Sequence, residues 1–355
     1  MHTERRRHGT CIVHRLTWTA CVVGLLALLL VPGSLGDPTG TALAQDRPQR
    51  WRFAIYDPTL ESILGRVWTG FAKSVGERTG GRLTIEVYPA GALGYSGFTH
   101  HQVVGDGLIE MGEAIAAGTL EIKPFSVFAQ MMLFENEVQA GQAWDASKDL
   151  LEKAAAHLKA KPVAAMPRPP DFLNTTKRPF DKLETFKGAR LRSWNAIMSD
   201  WLKRVGAEPV AIPYAERYTA LSQGIVEGNY ASPISQLDTK DYEVTRYTNL
   251  WPGPVPIFIT FVNVAKLSAL PADVQKILLD EIAKAEAAGR KQLYGSLEPS
   301  LKQLADKGVT IVRPSPAELA RGRQFADQVM EDWRKGAGDL GNQVLDRVLK
   351  TLARK

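Results

Sequence analysis

Apolar positions in residues 51–114 repeat first at every second residue and then at every third or fourth. A period of two is typical of strands, and a spacing of three to four is typical of helices. The predicted strands are residues 51–56, 82–89 and 108–114, and the predicted helices are residues 62–81 and 97–107. This β-α-β-α-β order predicts a mostly parallel sheet with covering helices.

The same alternation of strands and helices continues along the chain. A helix is predicted at about 138–160 and a strand at 161–167, followed by strands at 189–193, 207–213, 225–231, 255–267 and 309–314 and helices at 197–206 and 215–224. Asn174-Thr175-Thr176 is predicted to be a turn. The order predicts an α/β fold with two lobes. Because no Gly/Ser-rich linker separates the halves, we expect several chain crossings and a hinge between them.

A helical pattern of unusual length runs from about Pro271 to Lys307. Pro299 lies inside it and is expected to kink the helix, because proline has no backbone N–H to donate. A last strand and two amphipathic helices follow to the end of the sequence.

The first 44 residues are predicted to be a secretory signal peptide. A basic stretch precedes an apolar run from Trp18 to Val31, and Ala42-Leu43-Ala44 matches the A-x-A pattern of a cleavage site. The apolar run is short for a membrane span, so a retained anchor is the less favoured alternative. Arg5-Arg6-Arg7 leaves twin-arginine export open beside the favoured Sec route. A periplasmic location follows.

The composition after this leader excludes several kinds of site. Both cysteines, Cys11 and Cys21, lie in the leader, so the rest of the chain can form neither a disulfide nor a thiolate metal site. The net charge of the whole chain is +6, but basic residues alternate with acids along helices such as 276–292. That pattern indicates a solvated helix face, so no nucleic-acid partner is expected.

The common catalytic motifs do not occur in the sequence. The histidines after the leader are His100, His101 and His157, and no HExxH sequence holds any of them. Residues 94–98, GYSGF, do not match G-x-S-x-G, and no P-loop or complete dinucleotide-binding loop is present. We therefore predict a protein that is not an enzyme and has no metal or cofactor site. The alternative that these motifs leave open is an enzyme whose catalytic site consists only of carboxylates.

Residues 186–194, FKGARLRSW, place two positive charges on a predicted strand. Arg190 and Arg192 point to the same face of that strand, and Leu191 points to the other. Either both guanidinium groups face water, or one of them meets an anion in a cleft.

The stretch 186–230 resembles the solute-binding proteins of tripartite ATP-independent periplasmic (TRAP) transporters. That family shows a G-x-K-I-R strand, a helix, an "lGa-pv-ip" strand and an "E-x-Y-x-A-L-q-x-G-v-x-D-G" helix and turn. In this chain the first strand of the pattern matches 188–192, the second strand matches 205–213, and the helix and turn match 216–228. Upstream, VYPAGALG (87–94) and GDGLIEMG (105–112) match two further family patterns, so the resemblance covers nearly all of the chain after the leader.

The resemblance implies a periplasmic-binding-protein-like fold of two α/β lobes, with a hinged cleft and a long helix that spans both lobes. Lobe I is expected at about 50–165 plus part of 255–310, and lobe II at about 166–254 plus C-terminal segments. The implied function is capture of a small organic acid and its delivery to a membrane permease for uptake driven by an ion gradient. The expected partners are a small carboxylate and the permease subunits, and the protein is expected to be a monomer without a cofactor.

In the family, the arginine of G-x-K-I-R clamps the ligand carboxylate, and Arg192 holds that position here. A guanidinium offers a planar two-donor fork that matches a carboxylate. Arg190 holds the position of the family's lysine and is expected nearer the rim or paired with an acid. The alternative is that Arg192 only pairs with a neighbouring acid.

Two departures from the family pattern bear on the ligand. Where many members carry a second arginine, this chain has Asp171, so the second arginine is missing or replaced by Arg168. The ligand-contacting asparagine of the family becomes Ala231. A cleft with one arginine and several rings suits a monocarboxylate with an apolar or aromatic body.

The other ligand-binding candidates are aromatic or acidic side chains. The aromatic candidates are Phe172, Trp194, Tyr214 and Tyr230, and Tyr218 and Trp251 are further rings expected nearby. Tyr56 and Glu61 follow the first strand, where the N-terminal lobe meets the ligand, and Glu113 ends the third strand.

Two other functions remain open on the sequence. A closing cleft of this kind would equally serve a ligand sensor that acts on a membrane receptor. A secreted carboxylate-dependent enzyme is the less favoured alternative.

Overall fold

Two mixed β-sheets with helices packed against them organise the part of the chain that the computed structural model describes, residues 48–118, 121–212 and 216–353. The predicted signal peptide, residues 1–44, lies outside the described residues. Among the residues that are described, no helix combines the length and the apolar character needed to cross a membrane.

The first sheet combines strands near the N-terminus with one strand that returns from much later in the chain. In spatial order its strands are β2 (Leu83–Tyr88), β1 (Gln49–Ala54), β3 (Met111–Ile115), β10 (Ile257–Asn263) and β4 (Ala160–Pro167). β1 pairs in parallel with β2 and β3, as the sequence pattern predicts. β10 is antiparallel to both of its neighbours, so it is the one described strand of this sheet that departs from the predicted parallel arrangement.

The second sheet contains two strands that the sequence pattern did not predict, β5 and β9. In spatial order its strands are β11 (Thr310–Val312), β9 (Tyr247–Asn249), β5 (Phe172–Thr175), β8 (Gly228–Ala231), β6 (Arg190–Ser193) and β7 (Glu208–Ala211). The predicted turn at Asn174-Thr175-Thr176 is therefore wrong, because Asn174 and Thr175 belong to β5. Their polar side chains are buried and bonded inside the sheet; Thr248 donates to the Asn174 amide oxygen at 3.3 Å.

The helices pack around these sheets, and several begin at a side-chain cap. The helices in the described part of the chain are α1 (Ile63–Arg78), α2 (His100–Gly105), α3 (Lys123–Ser126), α4 (Glu137–Ala155), α5 (Ala196–Arg204), α6 (Arg217–Ser222), α7 (Pro233–Asp238), α8 (Val264–Ser268), α9 (Ala272–Leu293), α10 (Leu297–Asp306), α11 (Pro316–Lys335) and α12 (Gly338–Thr351). Ser62, Asn136 and Asn195 accept hydrogen bonds from backbone N–H groups in the first turns of α1, α4 and α5. These caps fix where each helix starts.

The helical segment predicted at 271–307 is two helices, α9 and α10, with a break at 294–296. Pro299 lies in the first turn of α10, where backbone N–H groups have no partner within the helix, so it starts a helix and does not kink one. α9 packs against α1 and β4, beside the first sheet, and α10 packs against α7 and β11, beside the second. The two helices together therefore run from one sheet to the other.

Two chain crossings between the sheets lie side by side. The first joins β4 to β5 through residues 168–171, and the second joins β9 to β10 through residues 250–256. Three backbone hydrogen bonds link them: Arg168 N to Pro256 O at 2.8 Å, Asp171 N to Pro254 O at 3.0 Å, and Gly253 N to Asp171 O at 2.7 Å. Arg168 and Asp171 are thereby held between the two sheets.

Substitution of Gly105 in α2, with Gly76 in α1 as the control, tests how closely α2 packs against the chain near Leu158. A Cβ at Gly105 would collide with the backbone carbonyl oxygen of Leu158, whereas a Cβ at Gly76, inside α1, would meet nothing within 4 Å. We expect Gly105→Ala to destabilise the protein by about 2 kcal/mol, because a backbone atom cannot rotate away. Gly76→Ala should stabilise by about 0.5–1 kcal/mol, since alanine favours the helix. Urea denaturation measures both, and equal stabilities for the two variants would contradict the packing.

Candidate functional site

A cavity lies where the chain crossings meet the ends of strands from both sheets. It encloses about 490 Å³ of space outside the protein atoms, part of it open to solvent. Tyr56 and Ile115 reach it from the first sheet, and Arg192 and Ala231 reach it from the second. Both sheets therefore contribute to the wall of one cavity.

Arg192 lies on this wall, at the second-to-last position of β6. Its side chain is buried, and its Nε donates to the carbonyl oxygen of Ile212 at 2.9 Å. Arg190, two residues earlier on the same strand, is exposed at the start of β6. The two guanidinium groups therefore have opposite surroundings although they share a strand face.

Two further arginines line the cavity, so the sequence-based premise of a single arginine is wrong. Arg168 forms a buried ion pair with Asp57, and its guanidinium lies 4.4 Å from the centre of the Phe258 ring. Asp57 uses one carboxylate oxygen for Arg168 and the other for the hydroxyl of Ser62. The pair joins the first crossing to the loop after β1.

The third arginine is Arg217, the first residue of α6. It is buried, it forms an ion pair with Asp241 at 3.0 Å, and it donates a hydrogen bond to the Thr239 hydroxyl. Tyr218, the next residue, points outward instead, with its hydroxyl donating to Glu243 at 2.9 Å. The family motif around Tyr218 thus marks the right helix but not the residue that faces the cavity.

Two buried carboxyl groups near the cavity have raised pKa values. Burial, and then the nearby charge of Asp57, raise the pKa of Glu113 to about 7. Its two oxygens accept hydrogen bonds from Tyr56 N at 3.0 Å and Trp68 Nε1 at 3.1 Å, which place it behind the wall. Burial also raises the pKa of Asp171 to about 7, against the opposing charges of Arg217 and Arg192.

Aromatic rings cover much of the remaining wall. The Tyr56 ring lies 4.7 Å from Phe258 and 6.0 Å from Phe98, measured between ring centres, and Phe98 lies 6.5 Å from Trp194. Because Tyr56 follows β1 and Trp194 follows β6, this chain of rings extends from the first sheet to the second. It leaves flat apolar surfaces in the cavity that the three guanidinium groups also line.

Of the seven predicted ligand-binding residues that the structure describes, four line the cavity. Arg192, Trp194, Tyr230 and Tyr56 line it. Glu113 is buried behind Tyr56, as described above. Tyr214 lies outside the described residues. That these residues bind ligand stays a prediction.

Two predicted site residues lie elsewhere. Phe172 is buried in β5 and is not among the described residues that line the cavity, and Glu61 is exposed in the loop before α1. Trp251, expected nearby, is a core residue whose indole N–H donates to the Phe180 carbonyl oxygen at 2.6 Å. Because β5 was not predicted as a strand, the sequence pattern did not indicate where the Phe172 side chain lies.

The cavity residues that sequence reasoning missed include Asp57, Phe98, Arg217 and Phe258. Asp57 directly follows Tyr56, and Arg217 lies inside a motif that had been noticed, so both carried a local signal. Phe258 lies on β10, which joins the first sheet only through a long return of the chain. Among the described residues, no group of three or more His, Cys, Asp or Glu could hold a metal ion.

A family model described as bacterial extracellular solute-binding protein, family 7, matches residues 53–336 of this chain. Among curated relatives, the chain is similar to the ectoine-binding periplasmic protein of Halomonas elongata. The two are 23% identical over 310 residues, which cover 84% of this chain and 88% of the relative.

Solved structures give the same fold. An extracytoplasmic solute receptor of Bordetella pertussis that binds pyroglutamic acid is 25% identical, covers 84% of this chain and 99% of its own, and superposes with a TM-score of 0.79. A sugar-acid-binding protein of Advenella mimigardefordensis in complex with galactonate is 24% identical, with coverages of 86% and 99% and a TM-score of 0.79. The predicted two-lobed α/β fold is therefore confirmed.

The raised pKa of Glu113 predicts a pH-dependent stability. Between its ordinary pKa of 4.5 and its folded pKa of about 7, the folded chain keeps a proton that the unfolded chain has released. The free energy of unfolding that Glu113 contributes therefore falls as the pH rises through this window, by about 3 kcal/mol. In urea denaturation from pH 4 to pH 8, the difference between the wild type and Glu113→Gln should decline accordingly.

The exposed carboxylate of Glu61 supplies the control for this measurement. The difference between the wild type and Glu61→Gln should stay nearly constant over the same range, because Glu61 is exposed to water in the folded protein as it is in the unfolded chain. A difference between the wild type and Glu113→Gln that is equally flat would show that Glu113 is ionised in the folded protein.

Proposed function

The chain belongs to bacterial extracellular solute-binding protein family 7, the TRAP-type solute-binding proteins, and we propose that it captures a small organic acid in the periplasm and delivers it to a membrane permease. The family consists of solute receptors and not of enzymes. Its partners would be one small carboxylate and the permease subunits, with uptake driven by an ion gradient. We also propose that the protein acts as a monomer.

The observation that carries this proposal is the position of Arg192. It holds the clamp position of the family motif, and its side chain is buried on the wall of a cavity shared by both sheets. In such a site a guanidinium and a carboxylate are poorly screened by water, so their two-donor pairing is strong. Arg192 would therefore bind the ligand carboxylate.

The balance of charge on the cavity wall supports a ligand with a single negative charge. The charged residues that line it are Arg168, Arg192, Arg217, Asp57 and Asp171. With both aspartates ionised, these residues carry a formal charge of +1. Arg168 and Arg217 each have a carboxylate of the protein against them, which lowers their attraction for a second ligand carboxylate.

The aromatic wall supports an apolar or aromatic body for the ligand. Flat rings bury the faces of a planar or cyclic ligand without requiring polar partners. The pyroglutamic acid bound by the Bordetella receptor is a five-membered ring with one carboxylic acid, and ligands of that size and charge fit this description. We therefore propose a monocarboxylate with a compact apolar or cyclic body.

We propose further that the two sheets are the centres of two lobes that close on the ligand. The two chain crossings, residues 168–171 and 250–256, support lobe boundaries near residues 165 and 255. Short crossings of this kind are suitable hinges, because a few residues can absorb the change in backbone angles.

A thermal-shift screen tests the class of ligand. Pyroglutamate, cyclopentanecarboxylate and benzoate should raise the melting temperature more than succinate or galactonate, because the cavity compensates one negative charge and covers an apolar body. A ligand present at about a hundredfold over its dissociation constant should add roughly 2.7 kcal/mol of stability. If galactonate gives the largest shift, the proposed ligand class is wrong.

Substitution of the two strand arginines tests the clamp. Titration calorimetry with the best acid from the screen should show a loss of thirtyfold or more for Arg192→Ala, since removing one partner of a buried charge pair costs about 2–5 kcal/mol. Arg192→Lys should not restore binding, because an ammonium cannot reproduce the two-donor fork.

Arg190→Ala is the matched control, since Arg190 lies on the same strand but is exposed. It should bind within about twofold of the wild type. The assignment of the clamp fails if Arg192→Ala keeps wild-type affinity while its melting temperature shows that it is folded, or if Arg190→Ala is the more damaging change.

A further inference from the structure

Two polar side chains on the cavity wall, Asp171 and Tyr230, are held next to each other by the second chain crossing. Gly253 lies between them: a Cβ at this glycine would come within 2.7 Å of the Tyr230 ring and 3.0 Å of the Asp171 carbonyl oxygen. Both residues line the cavity, and both side chains are buried. Neither one belongs to the arginine clamp.

Asp171 supplies a hydrogen-bond acceptor at a fixed position. Its backbone is bonded on both sides to the second crossing, through Pro254 and Gly253. The N–H of Ser232 donates to its carboxyl group. A carboxylate has about four acceptor positions, so this bond leaves capacity for a donor from the ligand. By contrast, both oxygens of Asp57 are already used by Arg168 and Ser62.

Tyr230 supplies a hydroxyl that the described part of the protein does not satisfy. The residue is 1% exposed, its ring packs edge-on against Trp201, and its Oη has no hydrogen-bond partner among the described residues. Burial, and then the Asp171 charge, raise the pKa of this hydroxyl well above its usual range, so it stays protonated and can donate. A buried polar group without a partner is destabilising, and a hydrogen bond to a bound ligand would remove that cost.

We propose that Asp171 and Tyr230 together bind an amide group of the ligand, with the Asp171 carboxylate accepting from the amide N–H and the Tyr230 hydroxyl donating to the amide C=O. This inference rests on the proposed function, in which Arg192 holds the ligand carboxylate. The ligand class is then narrower: small carboxylic acids that also carry a lactam or carboxamide.

Charge and geometry favour an amide over the other polar groups. An ionised Asp171 would repel a second carboxylate on the ligand, because the two negative charges would lie close together without a proton between them. An amide carries its donor and its acceptor on separate atoms, which suits two side chains that come from different segments of the chain. It is also planar and uncharged, so it fits beside the rings of Tyr56 and Phe258 without adding to the charge of the cavity.

Four ring acids of similar size separate the contributions. L-Pyroglutamate has the ring N–H and C=O, its lactone analogue has a ring oxygen in place of the N–H, cyclopentanecarboxylate has neither group, and 3-hydroxycyclopentanecarboxylate has a hydroxyl. In calorimetric titration of the wild type, pyroglutamate should bind at least tenfold tighter than the other three. The lactone should be the weakest, because its ring oxygen would face the Asp171 carboxylate.

Two conservative variants assign the two hydrogen bonds. Tyr230→Phe should weaken pyroglutamate and the lactone alike, by about tenfold, and leave cyclopentanecarboxylate unchanged. Asp171→Asn should weaken pyroglutamate and strengthen the lactone, because the asparagine amide can donate to the ring oxygen. Tyr218→Phe, which removes an exposed hydroxyl, is the matched control and should change no affinity.

Arg192→Ala separates failure of this inference from failure of the proposed function. It should weaken all four acids in parallel. If it does so while cyclopentanecarboxylate or the hydroxy acid binds the wild type as tightly as pyroglutamate, the amide site is wrong and the clamp stands. If pyroglutamate does not bind, or if Tyr230→Phe keeps its melting temperature and its affinity for all four acids, the inference is also overturned. If Arg192→Ala has no effect on any acid that binds, the proposed function fails as well.

Discussion

The backbone hydrogen bonds between the two chain crossings are the constraint on which the cavity depends. Residues 168–171 and 253–256 are bonded to each other where the chain passes between the sheets, so neither can shift alone. They fix Arg168 and Asp171 on one side and Pro256 on the other, and Phe258 follows two residues later on β10. The ends of the strands β6 and β8 then need only to reach this point to complete the wall. A site built on crossings is also a site that a hinge motion would change directly.

Buried charge is the second constraint, because each guanidinium in such a cavity has lost its water. Arg168 is compensated by Asp57 from the first sheet and Arg217 by Asp241 from the second, so the ion pairs are part of the architecture as well as of the site. The acids nearby respond to the same environment. Burial raises the pKa of Glu113, Asp171 and Asp238, the last to about 6, and the charges of nearby arginines oppose this rise at each of them. The net charge of the residues that line the cavity is therefore close to the single positive charge that would balance one anion.

The site residues that could be predicted were those that lie in, or directly after, short sequence patterns. The G-x-K-I-R type strand indicated Arg192, and Trp194 and Tyr56 followed from their places just after strands, at the ends that face the cavity. Arg217 and Phe98 lie within or beside segments that the motifs covered, but a motif does not state which of its side chains turn inward. Phe172 does not line the cavity, and β5, the strand that holds it, was not predicted, so no periodicity indicated where its side chain lies.

The sequence by itself determined the order of strands and helices, the family resemblance and the candidate for the carboxylate clamp, because each depends on neighbours along the chain. Local periodicity and turn residues specify an element, and they did so for most of the strands and helices found. Only the tertiary structure decided that β10 enters the first sheet antiparallel, that a polar segment forms the central strand β5, and that the long helical segment is two helices. It also decided that Arg168, Asp171, Arg217 and Tyr230 share one cavity. Those outcomes depend on contacts between residues far apart in the chain, whose energies local sequence patterns do not contain.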